Sequence, residues 1–248
     1  MSETIIRQLA PSLCIFSRPF KRFGILPVGG RSTCVKLQSG ELWVLASTTL
    51  DEPTKAKIDS MGNVRWIVSP DAEHDAFLTE YKNAYPDAKL IGVEPLASKR
   101  TDLVFDGGKQ FLPPMTSPTV ITNVVIAYGR EPVGTKYGFE PEIEACYFPE
   151  TVNSDVAFFH RETKSLIEGD LLWNLTGGGQ SLFSGAMSPY STLHKRFSKF
   201  TTSDKAATKA NAHKVAEWDF DVIIPCHGEV IETDGKQAWK AAYEAFFK

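Results

Sequence analysis

The chain has 248 residues, 42% of them apolar and 23% charged, and a net charge of −3. That length can bury one sizeable core, and we expect a single domain over residues 1–248. The small net charge and scattered basic residues argue against a nucleic-acid partner. The lack of any apolar run approaching about 20 residues argues against a membrane span, and four cysteines without a CxxC pair argue against a disulfide scaffold or zinc knuckle.

Cys14, Cys34, Cys146 and Cys226 are expected to be free, buried thiols, which suits a reducing compartment. The first residues show no basic stretch followed by an apolar one, so no signal peptide is expected and the protein is read as cytoplasmic.

In chain order, the apolar runs 34–37 and 42–46 flank Ser39-Gly40 and predict a β-hairpin. Residues 50–61 carry Ala56, Ile58 and Met61 at helical spacing, with Gly62 as the stop. Residues 64–68 form a short strand. Ser69-Pro70 then predicts a helix start, with the helix running to Tyr85 and presenting Phe77, Leu78, Tyr81 and Tyr85 on one face. A strand over 89–93 completes two helix–strand alternations, an α/β pattern.

The middle of the chain changes character. Pro113, Pro114 and Pro118 mark a loop, 119–128 is strand-like, and 132–141 is a Gly- and Pro-rich excursion. Three short strands follow over 143–148, 155–160 and 165–167, the last two joined by the turn 161–164. Residues 173–190 are irregular around Gly177–Gly179, which lacks the Lys-Ser/Thr of a phosphate loop and is read as a flap. Ser203 is expected to cap a helix running to Trp218. A strand over 221–225 and a helix over 236–247 end the chain. This order fits a two-sheet sandwich with outer helices.

Ligand-type residues gather after three of these strands: Asp71, Glu73, His74 and Asp75 after 64–68, Glu168 and Asp170 after 165–167, and Cys226 and His227 after 221–225. Strand ends of layered α/β proteins direct several side chains into one cavity, and carboxylates and imidazoles are the donors a hydrolytic divalent metal needs.

Two of these segments resemble motifs of the metallo-β-lactamase superfamily. Residues 157–170 are similar to its strand–turn–strand ending in Gly-Asp, here Gly169-Asp170. Residues 221–228 are similar to its last ligand motif, a strand ending in His-Gly, here His227-Gly228. The 34–46 hairpin resembles the opening strands of that fold. The resemblance implies an αββα sandwich of the α/β class.

The chain also departs from the family. Where the family has His-x-His-x-Asp-His, this chain reads Pro70-Asp71-Ala72-Glu73-His74-Asp75, and Thr151 stands for a mid-chain histidine. The three histidines of a first metal site are therefore missing. A second-site set remains: His74, Asp75, Asp170 and His227.

These residues lead us to expect one divalent metal per chain, zinc by preference, and a metal-dependent hydrolase of a small-molecule ester, lactone or thioester. Asp75 would be fourth ligand or general base, and His74 a ligand or acid/base. Two alternatives stay open: a metal-free lyase or isomerase using His74 or His227, and a non-catalytic binding domain. His160, His194 and His213 are read as exposed and inert. Trp173, Phe183 and Tyr190 are candidates for the pocket wall or for ordinary core.

Overall fold

The structure, a computed structural model, describes residues 3–22, 24–105, 127–129, 135–176 and 187–248. The expected loop at 113–118, most of the strand expected over 119–128, part of the 132–141 excursion, the 177–179 glycines and Phe183 lie outside them.

The chain opens with β1 (Ile5–Ala10), β2 (Leu13–Arg18), the two-residue strands β3 (Lys21–Arg22) and β4 (Leu26–Pro27), β5 (Gly30–Lys36) and β6 (Glu41–Leu45). Helix α1 (Glu52–Met61), β7 (Asn63–Val68), α2 (Leu78–Ala84), β8 (Lys89–Ile91) and α3 (Glu94–Lys99) follow. Next come β9 (Ile143–Phe148), β10 (Asp155–His160), β11 (Ser165–Glu168), α4 (Thr192–Phe200), α5 (Lys205–Glu217), β12 (Val222–Pro225) and α6 (Gly235–Ala242).

Among the described residues, six strands form one sheet in the order β1-β2-β5-β6-β7-β8, and four form a second in the order β12-β11-β10-β9. The pairs β6–β7, β7–β8 and β11–β12 are parallel. Helices α1 and α2 pack on β7, while α5 packs on β9 and α6 on β12. The α/β class and the αββα sandwich are thus as expected. No helix among the described residues is long and apolar enough to cross a membrane.

Side-chain alternation along β10 shows why two sheets and outer helices share one core. Val156 and Phe158 join the large apolar cluster that includes Trp43, Val44 and Ile67 of the first sheet. Ala157 and Phe159 point the other way, into the cluster of Trp218, Val215 and Trp239 beneath α5 and α6. Phe158 packs edge-on against Trp43 at 5.1 Å between ring centroids and against Tyr128 at 6.1 Å. Phe158→Ala should therefore lower unfolding free energy by about 3–5 kcal/mol in urea titrations, the range for truncating a buried aromatic. A loss under about 1 kcal/mol would show that the sheets do not meet at this ring.

Several local expectations need correction. The helix after β7 does not start at Ser69-Pro70. It starts at Leu78, after Phe77, without a side-chain cap. Residues 69–75 are tied elsewhere: the Ala72 amide donates to the Asn153 carbonyl, and the Pro70 carbonyl accepts from Val156. The cap of α5 is Asp204, whose Oδ1 accepts from the amides of Ala206 and Ala207, while Ser203 bonds to the Glu150 carbonyl. Helices α3 and α4 and the strands before residue 30 had no counterpart in the sequence reading, so the 34–46 hairpin is not the start of the first sheet.

Candidate metal centre

Strands β7, β11 and β12 end at the same edge of the sandwich, and each delivers one side chain to a common point. From β7 comes a tight loop. The Ser69 hydroxyl donates to the carbonyls of Asp71 and His74, and Asp71 Oδ1 accepts from the amides of Glu73 and His74. This is an Asx-type turn, and it directs the other oxygen, Oδ2, to Nδ1 of His74 at 2.7 Å. From β11 comes Asp170. The preceding residue must be glycine, because a Cβ at Gly169 would lie 2.4 Å from Asp71 Oδ2.

From β12 comes His227, whose Nδ1 is 2.6 Å from the Gly29 carbonyl. The next residue must also be glycine: Gly228 has φ +82° and its Cβ would meet the Asn174 carbonyl oxygen at 2.3 Å. Arg31 braces this corner by donating to the carbonyls of Pro225 and Gly228, both at 2.7 Å.

One ligand atom each from His74, Asp170 and His227 lies within 4.8 Å of the others. Because Nδ1 of His227 faces a carbonyl, it carries the ring proton, and Nε2 of the neutral ring is a bare lone pair. That nitrogen is 3.4 Å from Asp170 Oδ1. No hydrogen bond joins them, and Oδ1 is buried with no hydrogen-bond partner among the described residues. Asp170 Oδ2, by contrast, accepts from Asn153 at 2.7 Å and from Arg22 at 3.1 Å. Two electron-pair donors facing each other, with no described residue donating to either, fit a cation. Two imidazoles and a carboxylate are a donor set that zinc-type ions accept.

The surroundings set the charge states. Burial lowers the pKa of His227 despite the pull of Asp170, so this ring is neutral at physiological pH. Burial also acts against a charge on His74, but the Asp71 carboxylate outweighs it and raises His74 to about 9 in the ion-free protein. Asp71 is lowered in turn: burial opposes its charge, and the His74 charge and hydrogen bonds overcome that. Asp155, buried behind the site with Asp71 and Asp170 nearby, is pushed well above the usual carboxylate range by burial and by those two charges. Glu168 is raised in the same way, chiefly by burial. The cavity in front holds about 250 Å³ and is lined by Phe20, Arg22, Glu73, His74, Ala76 and Phe77 together with Asp170 and His227. Trp173 is buried and sits 5.1 Å from the His227 ring, with the Arg22 guanidinium 5.3 Å above it.

No family model matches the sequence, and no curated protein is similar to it in sequence. Solved structures match along the whole chain. The metallo-β-lactamase of Pontibacter korlensis is 13% identical, with 99% of this chain and 100% of that one covered and a TM-score of 0.57. The metallo-β-lactamase FIM-1 of Pseudomonas aeruginosa, in its mono-zinc form, is 13% identical over 99% of this chain and 97% of that one, with a TM-score of 0.58. A flavo di-iron protein of Thermotoga maritima is 10% identical over 99% of this chain and 62% of that one, with a TM-score of 0.63.

This chain has the metallo-β-lactamase fold.

Within that fold, the structure brings His74, Asp170 and His227 together and leaves Asp75 out. The Asp75 carboxylate lies 3.5 Å from Lys99 and 3.6 Å from Arg100, outside the group of ligand atoms it was expected to join. The Asx turn is the cause: it turns Asp71 inward beneath His74 and sends Asp75 to the surface cations. Pro70 and Ala72 supply no donor side chain. Thr151 donates to Asp155 and to the Phe148 carbonyl, and it is Asn153 that reaches the site.

Arg22 and Asn153 were not anticipated. Arg22 comes from a two-residue strand with no periodicity to read, whereas Asn153, in a turn just before β10, lies where a polar side chain next to a strand could have been flagged.

Two histidines expected to be exposed are fully buried. His194 accepts the Trp173 amide at 3.0 Å, and burial lowers its pKa to about 4. His160 is considered below. His213 is exposed as expected. Tyr190 is 58% exposed and does not line the cavity. All four cysteines are free and buried, and burial raises the Cys226 thiol far above its ordinary pKa, which disqualifies it as a nucleophile.

Proposed function

We propose that the protein is a hydrolase using a single divalent metal of the zinc type, held by His74, Asp170 and His227, to cleave a small ester, lactone or thioester. The observation that carries this reading is the unpartnered, buried Asp170 Oδ1 facing the bare Nε2 of His227. An ion bound there would supply Lewis acidity, lowering the pKa of a water and polarising a carbonyl oxygen.

The chain's own groups would do the rest. Asp71 and the Gly29 carbonyl hold the imidazoles by Nδ1 and leave Nε2 of each to face the centre. Arg22, braced by Asp170 and Trp173, presents a fixed positive charge beside the reacting carbonyl, where negative charge grows during attack. Phe20, Ala76 and Phe77 give the cavity an apolar wall that excludes water and suits a small acyl group. The ester, lactone or thioester class rests on the resemblance of the two motifs; the small, largely apolar cavity is compatible with it.

A second reading is favoured by one observation: the buried Asp71–His74 pair would keep His74 protonated at neutral pH without a metal, ready to act as a general acid in a lyase or isomerase step.

The test is protein purified without chelator, with its metal content measured and turnover assayed on ester, lactone and thioester panels. We expect a bound ion at this site, loss of turnover on chelation and recovery when zinc or manganese is restored. Full activity in metal-free protein would select the acid–base reading instead.

A further inference from the structure

A second cluster of ligand-type side chains lies at the other end of β11, where its first residue, Ser165, pairs with the last of β10, His160. Glu162 sits in the turn between those strands. Glu142 immediately precedes β9, whose first residue, Ile143, also pairs with His160. One ligand atom from each of Glu142, His160 and Glu162 lies within 4.8 Å of the other two.

The imidazole of His160 is fully buried. Hydrogen bonds decide its tautomer. The Thr163 hydroxyl donates to Ser165 Oγ at 3.0 Å, and the Ser165 hydroxyl donates to the Thr163 carbonyl at 3.1 Å. The single hydroxyl proton of Thr163 is thus spent, so toward Nδ1 of His160, 2.8 Å away, Thr163 accepts. The ring proton is therefore on Nδ1. Nε2 is a bare lone pair, buried, with no hydrogen-bond partner among the described residues.

Each carboxylate is held by the other sheet. The Gln38 amide donates to Glu142 Oε2 at 2.9 Å, and the Ser12 hydroxyl donates to Glu162 Oε1 at 2.7 Å. Gln38 follows β5, and Ser12 lies in the turn between β1 and β2. The cluster therefore sits where the loops of both sheets meet, with its carboxylates anchored by one sheet and its imidazole by the other.

We propose that Glu142, His160 and Glu162 bind a divalent cation, separate from the centre of His74, Asp170 and His227, that fastens the β10–β11 turn to the turns of the first sheet. One imidazole nitrogen with two carboxylates favours borderline first-row ions such as zinc or cobalt over calcium, which takes oxygen donors. The number of ions expected per chain then rises from one to two.

The test is calorimetric titration of chelator-stripped protein with Zn²⁺ and with Co²⁺ at pH 7.5, with thermal unfolding measured in parallel. Wild type should bind two ions. His227→Ala should keep one, and that ion should raise its melting temperature. Adding Glu142→Gln and Glu162→Gln to His227→Ala should remove the remaining ion and the thermal shift. These two substitutions keep side-chain size at partly or fully exposed positions, and circular dichroism checks that the fold survives. In the His227→Ala background, either glutamine alone should weaken binding by about ten-fold or more. The proposal fails if His227→Ala binds no ion, or if it binds one whose affinity the two glutamines leave unchanged.

Discussion

Asp170→Asn is expected to abolish metal binding at the open end of the sandwich and to reduce hydrolysis by about 10³-fold or more, because the Lewis acidity that activates water is lost with the ion. The fold should survive, and the metal-free variant should be at least as stable as metal-free wild type. Four acids, Asp71, Asp155, Glu168 and Asp170, are buried within this corner. Burial, with Asp71 and Asp170 beside it, already forces Asp155 well above the usual carboxylate range. An amide at position 170 removes one negative charge from that group while its oxygen can still accept from Asn153 and Arg22. Metal content, turnover and melting temperature of the two metal-free proteins decide the matter together. A variant that holds the ion at wild-type affinity, or keeps turnover within ten-fold, would remove Asp170 from the centre. A large loss of metal-free stability would assign it a structural role instead.

The second large effect is expected from Asp71→Asn, which keeps an acceptor for the Glu73 and His74 amides but removes the charge opposite His74. Partners that orient a ligating histidine typically contribute about 10–100-fold in metal affinity, and that is the loss to look for. Stability should change in a pH-dependent way. In the ion-free protein His74 is raised to about 9, above its unfolded value of about 6.5. Its contribution is therefore complete below about pH 6.5 and disappears as pH rises through about 9. Asp71 is lowered in the folded state, so its contribution is present above its unfolded value of about 3.9 and is lost as pH falls through the folded one. The destabilisation by Asp71→Asn should thus be widest between about pH 4 and 6.5. It should reach up to about 3–5 kcal/mol there, the cost of leaving one member of a buried pair unpaired, and shrink by pH 10. Urea unfolding of chelated protein at pH 5.5, 7.5 and 10 measures this. A difference that stays flat across the series would mean that no ion pair forms between these side chains.

The sequence by itself determined a good part of this molecule, wherever a few neighbouring residues carry the cause. Strands β9 and β10 match their expected bounds and β11 extends one residue further, to Glu168, because β-branched and aromatic runs there stop at turn residues. Gly169-Asp170 and His227-Gly228 were legible because each closes a strand in a pattern that resembles a known motif, although the reason each glycine is needed, a Cβ that would meet Asp71 in one and Asn174 in the other, is tertiary. The sandwich followed from the order of the elements and from those two motifs at strand ends. Even the burial of His160 has a signal in the sequence, since Val156 to Phe159 are apolar at every position and such a strand is covered on both faces.

What only the tertiary structure decided was which of several adjacent polar residues faces inward. Asp71 and Asp75 flank the same short segment, and both are acids next to a strand end. Choosing between them required the Ala72–Asn153 hydrogen bond to the second sheet, the glycine at 169 that makes room for Asp71, and the cations Lys99 and Arg100 that take Asp75. Arg22 meets Asp170 from nearly 150 positions earlier, and Glu142 and Glu162 are anchored by Gln38 and Ser12 across the sandwich. Local propensity describes how a segment curls. It holds no record of what that segment will be pressed against, and at both ends of this sandwich that contact sets the position and charge of the ligand-type side chains.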